Sequence, residues 1–417
     1  MKKIYFFIIL ILFTVAAFGQ RPIITKWNAV DGRIYLPTEG NYSYVYYKSD
    51  NPAITGGGTG MSGSKEIVFP VPGIYNVHIS PASVFKFTFI NSTASLSSRF
   101  LEISQWGDVT WSTNLRGMFY NCSNFNITAT DIPDFSKVTN MSYMFYYARA
   151  FNSPINSWNV ENVTDFTNMF DNAVSFNQDL NSWNTAKAAT MQGMFVAASA
   201  FNGLISNWNV GTVTDMSYMF YYATGFNQDL NLWNVQKVLN MAFMFNQASN
   251  YNQDLGLWNL KSGVNMRNML DSSGMKCENY SKTLSGWALN PTTPTNVTLG
   301  AGGRTYGTAA QQYRTTLDND KGWTINGDAY DAACTVSLSV PIIKPAASRL
   351  VLYPQPTTGI LSLEAPESGI ARLYNAAGQE LRSFSVTRGI NTLNITNLPA
   401  GVYWLTAVRR VARIIKN

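Results

Sequence analysis

The sequence predicts a β-rich protein with short helices, built as a solenoid of 25-residue coils with a β-domain at each end. Three observations predict it. Methionine, phenylalanine and tryptophan return every 25 residues through the middle of the chain. Short alternating runs broken by glycine and proline fill residues 20–90 and 349–417. Charged residues are only 13% while aromatics reach 14%, a balance that suits large apolar stacking surfaces and argues against a cytosolic enzyme.

At the N-terminus, Lys2 and Lys3 lead into an apolar run from Ile4 to Phe13, and the small residues Ala17 and Gly19 precede Gln20. That pattern is a secretory signal peptide over residues 1–19, too short to anchor a mature chain. No cysteine follows the run, so no lipid anchor is expected, and no later segment is long and apolar enough to span a membrane. Residues 20–90 follow with "GIYNVHIS" and "VFKFTFI", punctuated by "TGGGTG" and "VPG", and read as a β-domain. His78, the one histidine, alternates with Tyr75, Val77 and Ile79, so it falls on the wetter face of its strand.

Residues 91–275 carry the repeat. Met144, Met169, Met194, Met219, Met244 and Met269 are each 25 residues apart, and Phe145, Phe170, Phe195, Phe220 and Phe245 follow in step. Phe151, Phe176, Phe201, Phe226 and Tyr251 hold a third register, and Trp158, Trp183, Trp208, Trp233 and Trp258 a fourth. A looser copy at Trp106, Met118, Phe119 and Phe125 is one residue out of step, as suits a first coil. A fixed period of this size marks units that bury their apolar faces against their neighbours. Within one unit, Met216, Met219, Phe220 and Ala223 have helical spacing after the capping pair Thr214-Asp215, and residues 228–233 alternate as a strand does. One coil therefore reads as a short helix, a turn and a short strand, stacked at about 4.8 Å.

Asparagine recurs in two registers. Asn152, Asn177, Asn202, Asn227 and Asn252 follow the second aromatic, and Asn159, Asn184, Asn209, Asn234 and Asn259 follow the tryptophan. Corner backbone groups need partners, so both sets are expected to form amide ladders between coils. Outward amides that bind sugars are the competing reading, disfavoured because recurrence in every coil is a packing demand. Tyr146, Tyr147, Tyr221 and Tyr222 come just after the Met-Phe pair and are the candidate contact surface for a protein or glycan; packing between coils is the alternative.

Residues 276–334 read as a cap for the open end of the array, with a helix near "ENYSKTLSGWA", a strand near "NVTLG", a helix near "AAQQYRTTL" and a strand near "GWTI". Cys277 and Cys334 bracket this section and are the expected disulfide in an oxidising compartment, leaving Cys122 free. A linker, 335–348, leads to the second β-domain, 349–417. The net charge of +6 resides at the ends. Residues 1–19 carry +2 and residues 349–417 carry +5, so 20–348 is almost neutral. A nucleic-acid partner would require a basic stripe on that body, and none is visible.

No catalytic constellation emerges. One histidine and no G-x-S-x-G elbow leave nucleophile systems unsupported. Asp179, Asp229 and Asp254 recur and could serve as paired carboxylates of a glycosidase, but Pro154 and Leu204 occupy the same register, which favours turn-capping. Asp318 and Asp320 in "DNDKG" faintly suggest calcium but lack a distal glutamate, and "GAGGR", 300–304, is not a phosphate loop. No metal or cofactor is expected.

The recurring "VTDMSYMF", "FNQDL" and "WNV" resemble the BspA-like leucine-rich-repeat surface proteins over roughly 91–334. "AATMQGMF" and "FNGLISNWN" depart most from the pattern. The resemblance implies a right-handed LRR-like solenoid and adhesion to host matrix proteins or neighbouring cells. "FPVPGIYNVHIS" more weakly resembles the immunoglobulin-like PKD type, a β-sandwich, without its usual D-G-D turn. "LYPQPTTGILSLEAP", "ARLYNAAGQEL", "NTLNITNLPAGVYWL" and the basic end resemble the type A C-terminal sorting domain of the type IX secretion system, with Gln355 where that family has Asn. This implies an Ig-like β-sandwich, a Bacteroidetes-type cell, export across the outer membrane and removal of the tail. The expected function is thus a secreted or surface-bound, non-catalytic recognition protein. A secreted polysaccharide hydrolase or carbohydrate-binding accessory is the alternative.

Overall fold

The structure, a computed structural model, describes residues 20–336, 338, 351–353, 357–365, 368–375, 380–407 and 410–416. The expected signal segment, most of the linker and Gln355 lie outside these residues. The described chain is β-rich with a few short helices and no closed barrel.

Ten strands come first: β1 (Ile23–Ala29), β2 (Arg33–Leu36), β3 (Thr38–Glu39), β4 (Asn41–Lys48), β5 (Asn51–Ser62), β6 (Lys65–Val68), β7 (Gly73–Pro81), β8 (Lys86–Phe87), β9 (Phe100–Gln105) and β10 (Asn126–Ile127). Six form one sheet in the order β10-β9-β1-β7-β4-β5, and β2–β6 and β3–β8 form two ribbons. Alternation along β1 and β7 buries Ile23, Trp27, Tyr75, Val77 and Ile79 on one side. The boundary expected at residue 90 is crossed by this sheet: β9 pairs antiparallel with β1, and β10 then pairs in parallel with β9. The sheet thereby meets the first coil of the repeat. His78 lies half-buried on the outer side, its Nε2 3.1 Å from the Tyr47 hydroxyl, and burial pushes its pKa down.

Successive repeats stack in register. Single parallel bridges link Asn114, Asn140, Asp165, Thr190, Asp215, Asn240 and Asn265, one per coil. The rings at Phe119, Phe145, Phe170, Phe195, Phe220 and Phe245 follow one another at 5.4–5.7 Å with nearly parallel planes. A second column, from Phe125 to Tyr251, repeats at 5.7–5.9 Å. The 26-residue step from Phe119 to Phe145 keeps the spacing of the 25-residue steps, so the extra residue of the first coil is taken up between Phe125 and Asn140. Trp183, Trp208 and Trp233 stack at 6.2 and 6.3 Å. Met144, Met169, Met194, Met219 and Met244 are fully buried, as are all five repeat tryptophans to within a few per cent.

Two local expectations fail. The Met-Phe segment is not a helix. Its amides alternate: those of Met219, Tyr221 and Ala223 close turns onto Met216, Tyr218 and Phe220, while those of Met216, Tyr218, Phe220 and Tyr222 cross to carbonyls of the next coil at Asn240, Ala242, Met244 and Asn246. A helix would spend every amide within its own coil, and this run spends half of them on its neighbour. Nor is there a strand at 228–233. Apart from β9 and β10 at its start, the described residues of the array hold only isolated bridges, so there is no continuous parallel sheet.

At the far end a helix, Cys277–Leu289, lies over the last coil and is followed by strands Thr298–Gly300 and Thr324–Asn326, which pair in parallel. A second helix, Gln311–Thr315, runs into a π-helical turn, Thr316–Asp320. Trp287 and Trp323 pack together, and Cys277 and Cys334 are disulfide-bonded. Cys122 is buried, and burial raises its thiol pKa. The last domain has two antiparallel sheets. One holds Val351–Tyr353, Ile360–Ala365 and Gly389–Asn394; the other holds Gly369–Tyr374, Glu380–Val386, Gly401–Ala407 and Arg410–Lys416. In both terminal domains a tyrosine hydroxyl donates to a carbonyl four residues back: Tyr75 to Val71 and Tyr403 to Pro399, each at 2.7 Å.

Candidate functional site

The asparagine registers behave differently from each other. Asn177, Asn202, Asn227 and Asn252 each donate a backbone N–H to the side-chain oxygen of the asparagine one coil earlier, at 2.8–2.9 Å. The amides of Gln178, Gln228 and Gln253 bind the same asparagines. This column, which reaches back through Asn152 to the side-chain oxygen of Asn126, bridges the coils. The tryptophan-following column does not. Asn159, Asn184, Asn209 and Asn234 accept the N–H two residues ahead in their own coil, a local Asx turn that consumes the oxygen a ladder would use. The indoles bridge there instead: Trp183, Trp208 and Trp258 donate to carbonyls of the preceding coil at 2.8–3.0 Å.

The recurring carboxylates are occupied by structure. Asp179 accepts the amide of Leu204, Asp229 that of Asn231, and Asp254 that of Gly256 and the hydroxyl of Thr283. Asp318 pairs with Arg314 at 3.5 Å. Among the described residues no group of three His, Cys, Asp or Glu side chains is placed to hold a metal. A groove of about 850 Å3 beside Trp158 is lined by Asp131, Pro154, Asn156 and Glu161. Asp131 is already held by the amides of Trp106 and Gly107, and Glu161 by Asn159.

The turn face of the array differs from coil to coil. Each coil places two residues at positive φ, four apart. The first column is Gly117, Tyr143, Asn168, Gly193, Tyr218, Phe243 and Asn268; the second is Asn121, Tyr147, Asn172, Ala197, Tyr222, Gln247 and Ser272. Glycine and asparagine take this backbone readily. An aromatic side chain there costs about 1–2 kcal/mol. Tyr146 and Tyr221 stand between the columns. All four sequence-singled tyrosines therefore share one face, in two groups three coils apart.

The first group is Tyr120, Tyr143, Tyr146 and Tyr147. Tyr120 and Tyr146 stack at 4.6 Å, and Tyr146 contacts Tyr143 at 5.6 Å and Tyr147 at 4.7 Å. Two guanidinium groups join it: Arg116 lies over the Tyr143 ring at 4.2 Å and Arg149 over Tyr147 at 5.6 Å. The second group is Tyr218, Tyr221, Tyr222 and Phe243. Tyr218 stacks on Phe243 at 4.8 Å, and Tyr221 meets Tyr222 edge-on at 4.6 Å. Tyr218 and Tyr222 are 37% and 45% exposed, whereas Tyr146, Tyr147 and Tyr221 are half-buried by these contacts.

Between the groups the surface is polar and then small. Asp171 is buried, its two oxygens each held at 2.6 Å by the side-chain amides of Asn168 and Asn172. Burial raises its pKa because no cation answers it. Burial and the neighbouring Asp171 push the Tyr146 phenol up to about 12. The next coil offers only Gly193, Val196 and Ala197. Tyr143, Tyr218, Phe243, Arg116, Arg149 and Asp171 were not singled out by sequence reasoning. The signal for them was present: Asn168, Gly193 and Asn268 share one 25-residue register with Tyr143, Tyr218 and Phe243, and an Asn/Gly column marks left-handed backbone.

No helix among the described residues is long and apolar enough to cross a membrane. No curated protein and no solved structure gives a match. Residues 113–209 and 181–287 match the family model described as Mycoplasma protein of unknown function, DUF285. Residues 351–417 match the secretion system C-terminal sorting domain, the type IX export signal, which makes this chain a secreted or cell-surface protein.

Proposed function

We propose that the chain is a non-catalytic recognition protein of the cell exterior, mediating adhesion through the aromatic turn face of its repeat array. One observation carries this reading: Tyr143, Tyr218 and Phe243 occupy left-handed backbone where the other coils use Gly or Asn, and Tyr147 and Tyr222 occupy it where the other coils use Asn, Ala, Gln or Ser. Folding alone favours the cheaper residues, so the aromatics are kept for contact. On this reading the array is a right-handed LRR-like solenoid of the BspA type, a rigid frame on which face residues vary. The terminal domains are Ig-like sandwiches, PKD-like at the N-terminus. The tyrosine locks at Tyr75 and Tyr403 support that assignment, since Ig-type sandwiches use such a corner. The tail is removed once it has engaged the type IX machinery.

A carbohydrate-binding accessory of a secreted hydrolase is the second reading, favoured by the same aromatics. Probing a glycan and matrix-protein array with the full chain tests the first. Capture that is lost in the Tyr147→Asn/Tyr222→Asn variant is expected. Release of reducing sugar from any glycan on that array would contradict the non-catalytic reading.

A further inference from the structure

We infer that the Arg116–Arg149 end of the face takes an acidic polysaccharide, a chain of uronate rings, with Arg116 and Arg149 meeting its carboxylates and the tyrosines stacking on its sugar rings. This rests on the recognition reading above and adds the ligand's chemistry.

The two arginines are the first ground. In the N-terminal domain guanidinium groups are answered by carboxylates: Arg21 by Asp108, Arg33 by Glu66 and Arg99 by Asp31. Arg116 and Arg149 are exposed, rest on tyrosine rings, and have no ion pair among the described residues. Arg116 spends one N–H on the Ser142 hydroxyl at 3.2 Å. A ring beneath a guanidinium covers its face and leaves its N–H edge free. That edge is the part that matches a carboxylate with two parallel hydrogen bonds.

The tyrosines between them are the second ground. Tyr120 and Tyr146 stack face to face at 4.6 Å between rings that each carry a guanidinium, and the more exposed rings of the face, Tyr218 and Tyr222, lie three coils on. A uronate ring presents an apolar C–H face and a carboxylate on the same rigid unit, so one residue can use both. An acidic peptide supplies the charge without the flat ring. Among the described residues the guanidiniums seated on rings of this face are Arg116 and Arg149, so the Tyr218 group adds stacking, extending the contact along the coil axis. Asp171, buried beside Tyr146, repels a further carboxylate and so confines the charged contact to the first two coils.

The test uses the full chain, with polygalacturonate and its fully methyl-esterified form as probes, measured by calorimetry at two salt concentrations. Polygalacturonate is expected to bind at least tenfold tighter than the ester, and to weaken as salt rises. Arg116→Gln/Arg149→Gln should remove that tenfold preference and most of the salt dependence, while Tyr218→Ala weakens both probes alike. An unchanged thermal midpoint shows the double variant folded, as expected for two exposed side chains. Equal binding of the two probes, an unaffected double variant, polyglutamate binding as tightly as polygalacturonate, or no binding at all would each overturn the inference. Should the ester bind as well as the acid, and should Tyr147→Asn/Tyr222→Asn abolish both, the acidic ligand is wrong while the recognition reading stands. If a bound probe ignores the tyrosine variant, the recognition reading falls too.

Discussion

Asn227 donates its backbone N–H to the side-chain oxygen of Asn202 at 2.9 Å, and Asn202 does the same to Asn177. The column closes a corner that regular secondary structure leaves open. Removing one oxygen leaves an amide of the next coil without its acceptor, whereas aspartate keeps that acceptor. Asn202→Ala should therefore cost about 1 kcal/mol and Asn202→Asp clearly less. Urea unfolding followed by tryptophan fluorescence measures both.

The indoles give a sharper contrast. Trp208 donates to the Leu180 carbonyl at 2.8 Å, while the buried Trp233 nitrogen finds no acceptor. Phenylalanine at either position removes similar apolar area, but only at Trp208 does it remove a hydrogen bond. Trp208→Phe should cost about 1 kcal/mol more than Trp233→Phe. Equal losses in urea unfolding would contradict this.

Asp254 ties stability to pH. Burial raises its pKa in the folded chain, although Gly256, Thr283 and Lys282 oppose the shift. A carboxyl group whose folded pKa lies above its unfolded one takes up its proton more readily when folded. Its ionisation then subtracts stability as pH rises from the unfolded value through the folded one, and the deficit persists at neutral pH. Both structural contacts fall on a single oxygen, Oδ1, which asparagine also possesses. Asp254→Asn should be more stable than the natural chain at pH 7, with the advantage vanishing as pH falls below the ordinary aspartate range. Thermal midpoints across pH 3–8 check the sign.

The Cys277–Cys334 bond closes a segment of 57 residues over the last coil. By loop entropy, Cys277→Ser/Cys334→Ser should lose about 4 kcal/mol. Because each coil touches only its neighbours, the loss should begin at that end. Hydrogen exchange should rise first in Cys277–Leu289 and in the coil around Met269, with Met144 protected longest.

How much of this was legible depended on which physical quantity the residues encode. The 25-residue registers encode burial, and burial of Met144, Phe145, Phe151 and Trp158 followed directly. The cap elements could be read because their helix and strand patterns are local. The spacing of Met216, Met219, Phe220 and Ala223 was ambiguous. It fits a helical face, and it fits equally a run of turns that shares alternate amides with the next coil, because that choice is made between coils. The two asparagine columns look alike as letters and differ only in the backbone that follows. On the candidate face, Tyr146, Tyr147, Tyr221 and Tyr222 were legible as aromatic pairs. Their partners Tyr143, Tyr218 and Phe243 were hidden inside the misread helix, and Arg116 and Arg149 stand at positions whose residue type changes from coil to coil.

The most direct measurement compares the full chain with its Tyr147→Asn/Tyr222→Asn variant, reading unfolding midpoint and ligand capture on one preparation. Both positions sit at positive φ, and Asn172 holds the Tyr147 and Tyr222 register in another coil. Asparagine relieves backbone strain of about 1–2 kcal/mol per site, against about 0.5–1.5 kcal/mol lost with each aromatic contact. The account expects a midpoint equal or higher and capture weakened at least tenfold. A lower midpoint with capture intact would mean that the tyrosines serve the fold, and that the face is not where this protein meets its partner.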